Sequence, residues 1–425
     1  MATQRLLVEG WRGINHSIAM VNQHQLLVWS KLPQLALFHA DAPMFLPHWN
    51  PATHDAGFGA ADAQKLKQIA APDGAPVDAV FRIHSPITPP AREPIAARQL
   101  SFVVTEFGLS AKSFGAPVPD PQVFTGPGRC VVTPSAWSRQ RLLDFGMHER
   151  HVHVVPHGVQ LRTFVPSGPE QRRSERAALG YSDEHFVFVN VGVATWNKGI
   201  DLLIVAFARL RQKFAHARLI LKDHRSLYGM SVDPVFKTIN STHPGLLTAD
   251  VLASISVIAT NLTQSQLRAL YAVADCYVSP YRAEGFNLPV AEALACGTPA
   301  VVTAGGATDD FCTGPWATRV RGTEGRTPDS LLPGGRYIEV DPDALLYAIG
   351  QRLQAPVAEQ RLGGVAWERW RQGMDWGPAA MSVLDLCLGG SAAAARTAPS
   401  APSAQSAQSA HEASLAPLTP LAEAA

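Results

Sequence analysis

The 425-residue sequence contains no uninterrupted apolar run of the roughly 18 residues that a spanning helix needs. Its first ten residues, MATQRLLVEG, lack the apolar segment of a secretory signal. Neither sign of charge dominates, with 36 Lys and Arg against 35 Asp and Glu, which argues against a nucleic-acid binder working by bulk charge. Cysteine is sparse: Cys130, Cys276, Cys296, Cys312 and Cys387 are odd in number and form no C-x-x-C pair. A disulfide framework or zinc site is therefore not expected, and a reducing, cytoplasmic compartment is. The G-x-G-x-x-G dinucleotide fingerprint is also missing, which counts against an oxidoreductase on a dinucleotide-binding fold.

What the chain does have is an apolar share of 46%, enough for ordinary cores, and a length that suits two domains. From about Gly390 onward it is Ala, Ser, Pro and Gln with few large apolar residues, a composition that cannot offset its ordering entropy, so residues 389–425 are expected to be a disordered tail. The rest alternates short apolar runs with helical patterns, the signature of βα units and mostly parallel sheets. The first half reads as strands at Arg5–Val8, Leu35–Phe38, Ala79–Ile83, Ser101–Thr105, Arg129–Thr133 and Val152–Val155. Its helices fall near Ser17–Ser30 and Ser135–Phe145, the second capped by Ser135 and closed by Gly146. Pro43–Pro76 reads as a long loop with a short helix, and Phe164–Gly180 as a linker with a surface helix.

A second series follows, with strands at His185–Val191, Arg218–Lys222, Ser256–Ala259, Cys276–Ser279, Ala300–Thr303 and Tyr337–Val340. Helices are expected at Gly199–Phe214, Thr263–Ala274, Pro289–Ala295 and Pro342–Leu353. The division is thus residues 1–165, 166–388 and the tail. In open α/β sheets the ligand sits at the carboxyl ends of the strands; with two such domains, that is the cleft between them.

The most informative stretch is Tyr281–Gly306, YRAEGFNLPVAEALACGTPAVVTAGG, directly after the strand CYVSP. Pro289 suits the first helical position and Gly297 the position after the helix. Glu284 then lies in the loop and Glu292 about one turn into the helix, so both carboxylates can approach one pocket. A carboxylate accepts two hydroxyl hydrogen bonds, as a sugar diol offers. Free N–H groups of the first turn, around Phe286, Asn287 and Leu288, bind anionic or hydroxyl oxygens with help from the helix dipole, and Gly285 permits close backbone approach.

The string E-G-F-N-L-P-x-x-E-A-L-A-C-G-T-P resembles the E-x7-E donor-site motif of the GT-B retaining glycosyltransferases, family 4 (glycosyl transferases group 1). Looser similarity runs through VGVATWNKGID, VVTPSAWSRQRLLDFG, VVPHGV and AWERWRQGMDW. The resemblance implies a GT-B fold, two Rossmann-like doubly wound domains facing a cleft, and transfer of a sugar from a nucleoside-diphosphate sugar to a hydroxyl acceptor with retention of configuration. It implies that Glu292 contacts the ribose, that Glu284 holds the sugar hydroxyls, that Gly285, Phe286, Asn287 and Leu288 offer backbone contacts, and that Lys198 neutralises the diphosphate. It further implies no obligate metal and no cofactor beyond the donor; no compact D-x-D triplet stands out, and Asp309–Asp310 reads as the start of a helix. A glycan or lipid-linked acceptor is implied, no nucleic-acid partner is expected, and peripheral attachment to the inner face of a membrane stays open.

The chain departs from the family pattern twice. An arginine usual five residues before the lysine is replaced by Val193, which makes Lys222, at a neighbouring strand's carboxyl end, the candidate replacement cation. Where many members carry a histidine, VVTEFG places Glu106, a candidate for orienting donor or acceptor sugar. In the loop after the first strand, EGWRGINHS, Gly13 is a candidate for close approach to the donor phosphates, and His16 and His84 sit near strand ends. Gly305–Gly306 is a further phosphate-side candidate. The alternative activity is a non-catalytic GT-B module that binds a nucleotide or glycan.

Overall fold

The computed structural model describes residues 3–389 except 91–95, 116, 330–331 and 357–360; the segment expected to be a disordered tail lies outside them from residue 390 on. Two six-stranded sheets, every strand parallel to its neighbours, form the frame. The first holds β1 (Gln4–Gly10), β2 (Leu35–Asp41), β3 (Ala79–Ile83), β4 (Arg98–Phe102), β5 (Arg129–Thr133) and β6 (Val152–Val154), in the order β2-β1-β3-β4-β5-β6. The second holds β7 (Phe186–Val191), β8 (Ala217–Lys222), β9 (Ile255–Ile258), β10 (Cys276–Ser279), β11 (Ala300–Thr303) and β12 (Ala317–Val320), in the order β12-β11-β10-β7-β8-β9. Covered on both faces by helices, central strands such as β3, β7, β10 and β11 are buried throughout, which is why they read as unbroken apolar runs.

The helix Ile200–Lys213 shows how sequence period becomes packing. Leu203, Ile204, Phe207 and Leu210 fall on one face and are buried against β7 and β8 residues Phe188, Leu219 and Leu221. The chain leaves the first sheet after β6 and returns at its end. There the helix Trp376–Leu388, capped by Asp375, inserts Trp376, Ala380, Val383 and Leu384 into the core around Leu6 and Phe81. Trp29 Nε1 donates to Ala380 O at 2.9 Å across that seam. The "surface" helix of the linker, Pro169–Ala178, carries one buried exception: Arg176 is 1% exposed and bonds Asp275 Oδ2 at 3.1 Å.

Three readings shift. β4 spans Arg98–Phe102, three residues earlier than Ser101–Thr105, because Thr105 turns the chain instead: its Oγ1 donates to Gly108 O at 2.5 Å and accepts from Gly108 N at 2.9 Å. The strand expected at Tyr337–Val340 does not join the sheet. As β14 (Arg336–Val340) it pairs antiparallel with β13 (Gly322–Arg326) in a separate ribbon. Asp309 and Asp310 end the short 3₁₀ turn Ala307–Asp310 rather than starting a helix.

Candidate active site

The second sheet reverses its strand order between β7 and β10, and the loops after these two strands open on either side of the resulting crevice. After β7 comes a 3₁₀ turn, Trp196–Lys198, ended by Gly199 at φ +65°. A Cβ on Gly199 would overlap Pro280 O, so glycine lets the two loops abut. They are then tied together: Arg282 N donates to Asn197 O at 2.7 Å, and the Arg282 guanidinium holds Asp201 and Glu339 at 2.8 Å each. After β10 the chain reaches Asn287, left-handed at φ 76°, whose Nδ2 donates to Ser279 Oγ at 3.0 Å and which caps the helix Leu288–Ala295. Pro289 is therefore the second helical residue, one later than expected. The amides of Phe286, Asn287 and Leu288 donate to no protein group among the described residues, leaving them free for a ligand.

These loops face the first sheet across a cavity of about 540 Å³. Glu284, Gly285, Phe286, Asn287, Leu288, Glu292, Lys198, Lys222 and Glu106 all line it. Lys198 joins the two sides of it, with Nζ 2.8 Å from Glu284 Oε1 and 2.7 Å from Glu106 Oε1. Burial opposes the Lys198 charge, but the two carboxylates outweigh it and raise its pKa. Burial raises the Glu284 pKa, with Lys198 pulling the other way. The second oxygen of Glu106 accepts from Asn197 Nδ2 at 2.8 Å. Glu106 is thus the first domain's contribution to a shared ammonium site, a pairing across 92 residues that its sequence neighbourhood did not announce.

Glu292 is held from below by Tyr271 OH at 2.9 Å, and burial lifts its carboxyl pKa to about 8. Lys222, at the end of β8, is 3% exposed and bonds the Asp223 carbonyl; burial lowers its pKa to about 8. His16 caps the helix Ser17–Trp29 by accepting from Ile18 N at 3.1 Å, and burial lowers its pKa to about 4. His157 and His224, neither singled out from the sequence, also line the cavity and are lowered to about 3 by burial, His157 with help from His24 and His224 with help from nearby Lys222 and Lys198. The histidines in this wall are therefore neutral at physiological pH.

Several expected residues fall elsewhere or act otherwise. Gly13 does not line the cavity; its N–H donates to Gln23 Oε1 at 2.8 Å, and a Cβ there would meet Pro51. It serves a turn. His84 and Gly305–Gly306 are also outside the lining: Gly305 N is capped by Asp309 Oδ2 at 2.9 Å, and Gly306 packs on Tyr281. Gly285 does line the cavity, yet the group that needs its missing side chain is Val104 of the first domain, whose Cγ2 a Cβ would overlap. The same contact is clamped by Ser135 Oγ donating to Gly285 O at 2.6 Å and by Ala136 N donating to Asp310 Oδ2 at 2.7 Å.

Residues 171–313 match the family model described as glycosyl transferases group 1. The chain is 30% identical over 160 residues to mannosylfructose-phosphate synthase of Agrobacterium fabrum, covering 38% of this chain and 34% of that one. It is 30% identical over 288 residues to D-inositol 3-phosphate glycosyltransferase of Kineococcus radiotolerans, covering 66% and 61%. The matched parts thus span between one third and three fifths of these curated relatives. Among solved structures, HepE of Anabaena, in complex with UDP and glucose, superposes with a TM-score of 0.60 at 14% identity, over 90% of this chain and 98% of that one. Sucrose-phosphate synthase of Thermosynechococcus elongatus gives 0.61 at 15%, over 90% and 98%. At such identities the likeness is one of fold, and the fold is GT-B. Residues 171–313, which match the glycosyl transferases group 1 model, are the part of the chain that carries Lys198, Lys222, Glu284 and Glu292.

Proposed function

We propose that the protein is a retaining glycosyltransferase that moves a sugar from a nucleoside-diphosphate sugar to a hydroxyl acceptor such as a glycan or lipid-linked sugar. The observation that carries this reading is the convergence of Glu284, Glu292 and Lys198 on one interdomain cavity beside three free amides. Glu292 accepts the ribose hydroxyls. Glu284 accepts hydroxyls of the transferred sugar. Lys198 exchanges its contact with Glu106 for the diphosphate, and Lys222 stands where a second cation is wanted in the absence of an arginine at Val193.

In the reaction the bond between the anomeric carbon and the β-phosphate oxygen breaks, its electron pair passing to that oxygen. The acceptor oxygen bonds the anomeric carbon from the same face, and its proton passes to the departing diphosphate. Fixed positive charge and free N–H groups at the leaving oxygen lower the barrier by meeting charge as it develops, and no metal ion is required in this scheme. The two-domain cavity excludes water from the sugar, which favours transfer over hydrolysis.

A donor screen tests the reading. Nucleoside diphosphate released from a panel of nucleotide sugars, with and without sugar acceptors, should appear for wild type and drop at least about a hundredfold in Glu284→Ala. Binding without any release from any donor would instead favour a non-catalytic module, the reading that Val193 motivates.

A further inference from the structure

Two hydrogen-bond donors from opposite domains meet at the cavity without partners. His16, at the start of the helix Ser17–Trp29, accepts from Ile18 N through Nδ1 at 3.1 Å, so its single ring proton sits on Nε2. Tyr228, at the end of the short turn Arg225–Tyr228 after β8, offers its hydroxyl. Both residues are half-buried and line the cavity; neither Nε2 nor the hydroxyl bonds a protein group among the described residues, and neither is sealed from the open space. The two ring centroids are 6.0 Å apart, with Trp49 at 5.0 Å from His16 and 5.9 Å from Tyr228. The first domain also fastens the turn that carries Tyr228: Trp49 Nε1 and His48 Nε2 donate to Leu227 O at 2.8 and 3.1 Å, and His54 Nε2 to Ser226 O at 2.9 Å. Burial keeps His16 neutral and holds the Tyr228 phenol well above its ordinary pKa, so both groups stay protonated donors. Donors held in place and left unmet call for an acceptor on a ligand.

Charged neighbours fix which part of a ligand these donors face. The Tyr228 hydroxyl feels the charges of Lys198 and Glu106, and His224, four residues before it, feels Lys222, Lys198 and His16. Of the two lysines, Lys198 is the one bonded to Glu284, while Lys222 ends the next strand, β8. With the sugar at Glu284, Lys198 takes the phosphate that carries the sugar and Lys222 the one beyond it. His16 and Tyr228 then stand at the first of these, where negative charge grows as the sugar leaves.

Resting on the nucleotide-sugar reading above, we infer that His16 and Tyr228 are catalytic residues that donate hydrogen bonds to the phosphate departing from the anomeric carbon. As that carbon–oxygen bond breaks, its electron pair passes to the phosphate oxygen. His16 Nε2–H and Tyr228 O–H meet the new charge and keep their own protons; the acceptor's proton goes to the departing diphosphate, as in the scheme above. The pair supplies neutral donors where Val193 leaves a cation wanting. One donor comes from each domain, so the pair exists only while the domains are docked, and bond breaking waits for closure.

Steady-state release of nucleoside diphosphate by the full chain, from the donor that the screen above identifies, tests this on wild type, Tyr228→Phe and His16→Asn. Each is assayed with and without acceptor, and thermal melting confirms that each is folded. Phenylalanine keeps the ring contacts and asparagine keeps a cap for Ile18 N, so each variant loses the donor alone. Each should lower kcat by about tenfold to a hundredfold, with the donor KM within about threefold of wild type. The factor should be the same with and without acceptor, since both routes break the same bond. The inference is overturned if a folded variant keeps kcat within about threefold of wild type, or if the loss appears only when acceptor is present, as it would for groups that merely bind the acceptor. Should His16→Asn not fold, Tyr228→Phe decides alone. Failure of the nucleotide-sugar reading itself looks different: wild type would then release nucleoside diphosphate from no donor.

Discussion

Replacing Glu292 by Gln should make the protein more stable at alkaline pH while removing the ribose carboxylate. Glu292 lines a ligand cavity, yet it is buried enough that its pKa stands at about 8 against an ordinary 4.5. A folded-state pKa above the unfolded one means that the folded chain binds the extra proton. Stability from this group is complete below about pH 4.5 and is lost as pH rises through 8. The full difference corresponds to roughly 5 kcal/mol. Water entering the cavity reduces it, and about 1–3 kcal/mol is expected once Glu292 is ionised. Glutamine has the same shape, keeps an acceptor for Tyr271 OH, and does not titrate. Melting of Glu292→Gln and wild type, followed by circular dichroism from pH 5 to pH 9, should therefore give curves that nearly meet at pH 5, separate progressively up to about pH 8 and run parallel above it. The variant should lie higher by about 2–8 °C at pH 9. An offset that is constant with pH, or a wild type that is the more stable at pH 9, refutes the assignment of strain to this carboxylate.

Three other outcomes follow from the same geometry. If an ionised Glu292 accepts the ribose diol, nucleoside diphosphate binding should release a proton near pH 7 and tighten between pH 6 and pH 8; titration in two buffers of different ionisation enthalpy reads the proton, and none released counts against the diol contact. Gly285→Ala should destabilise by about 1–3 kcal/mol through its overlap with Val104, and Val104→Ala should recover most of that loss; equal melting of Gly285→Ala and wild type would mean that the domains are not in this contact. Glu106→Gln, which leaves Lys198 with one carboxylate, should tighten nucleoside diphosphate binding by about threefold to tenfold, an effect absent if the diphosphate never meets Lys198.

The parts of this account that were legible in the sequence are those written locally. Buried parallel strands leave short apolar runs, and the loop after β10 is bracketed by Pro280, Gly285, Pro289 and Gly297, so the two glutamates and their short helix were visible before any fold was known. The ribbon β13–β14 was not, because GTEGR is exposed over most of its length and carries no alternation. Nor was the boundary of β4, where the apolar run continues past the last paired residue until Thr105 turns the chain. The site was half legible for the same reason. Lys198 and Glu284 are 86 residues apart but share a crevice set by the strand order, which the βα alternation implies. The partners that arrive across the domain boundary, Glu106 on Lys198 and Ser135 on Gly285, depend on how two sheets dock. Tyr271 beneath Glu292 depends on how two helices pack.

The central claim is that Lys198 and Glu292 grip two ends of one nucleoside diphosphate, and calorimetric titration of that ligand into wild type, Lys198→Ala and Glu292→Ala measures it directly. Binding to wild type, weakened by at least about tenfold in each variant, is the predicted result; undiminished affinity in both variants would contradict the site.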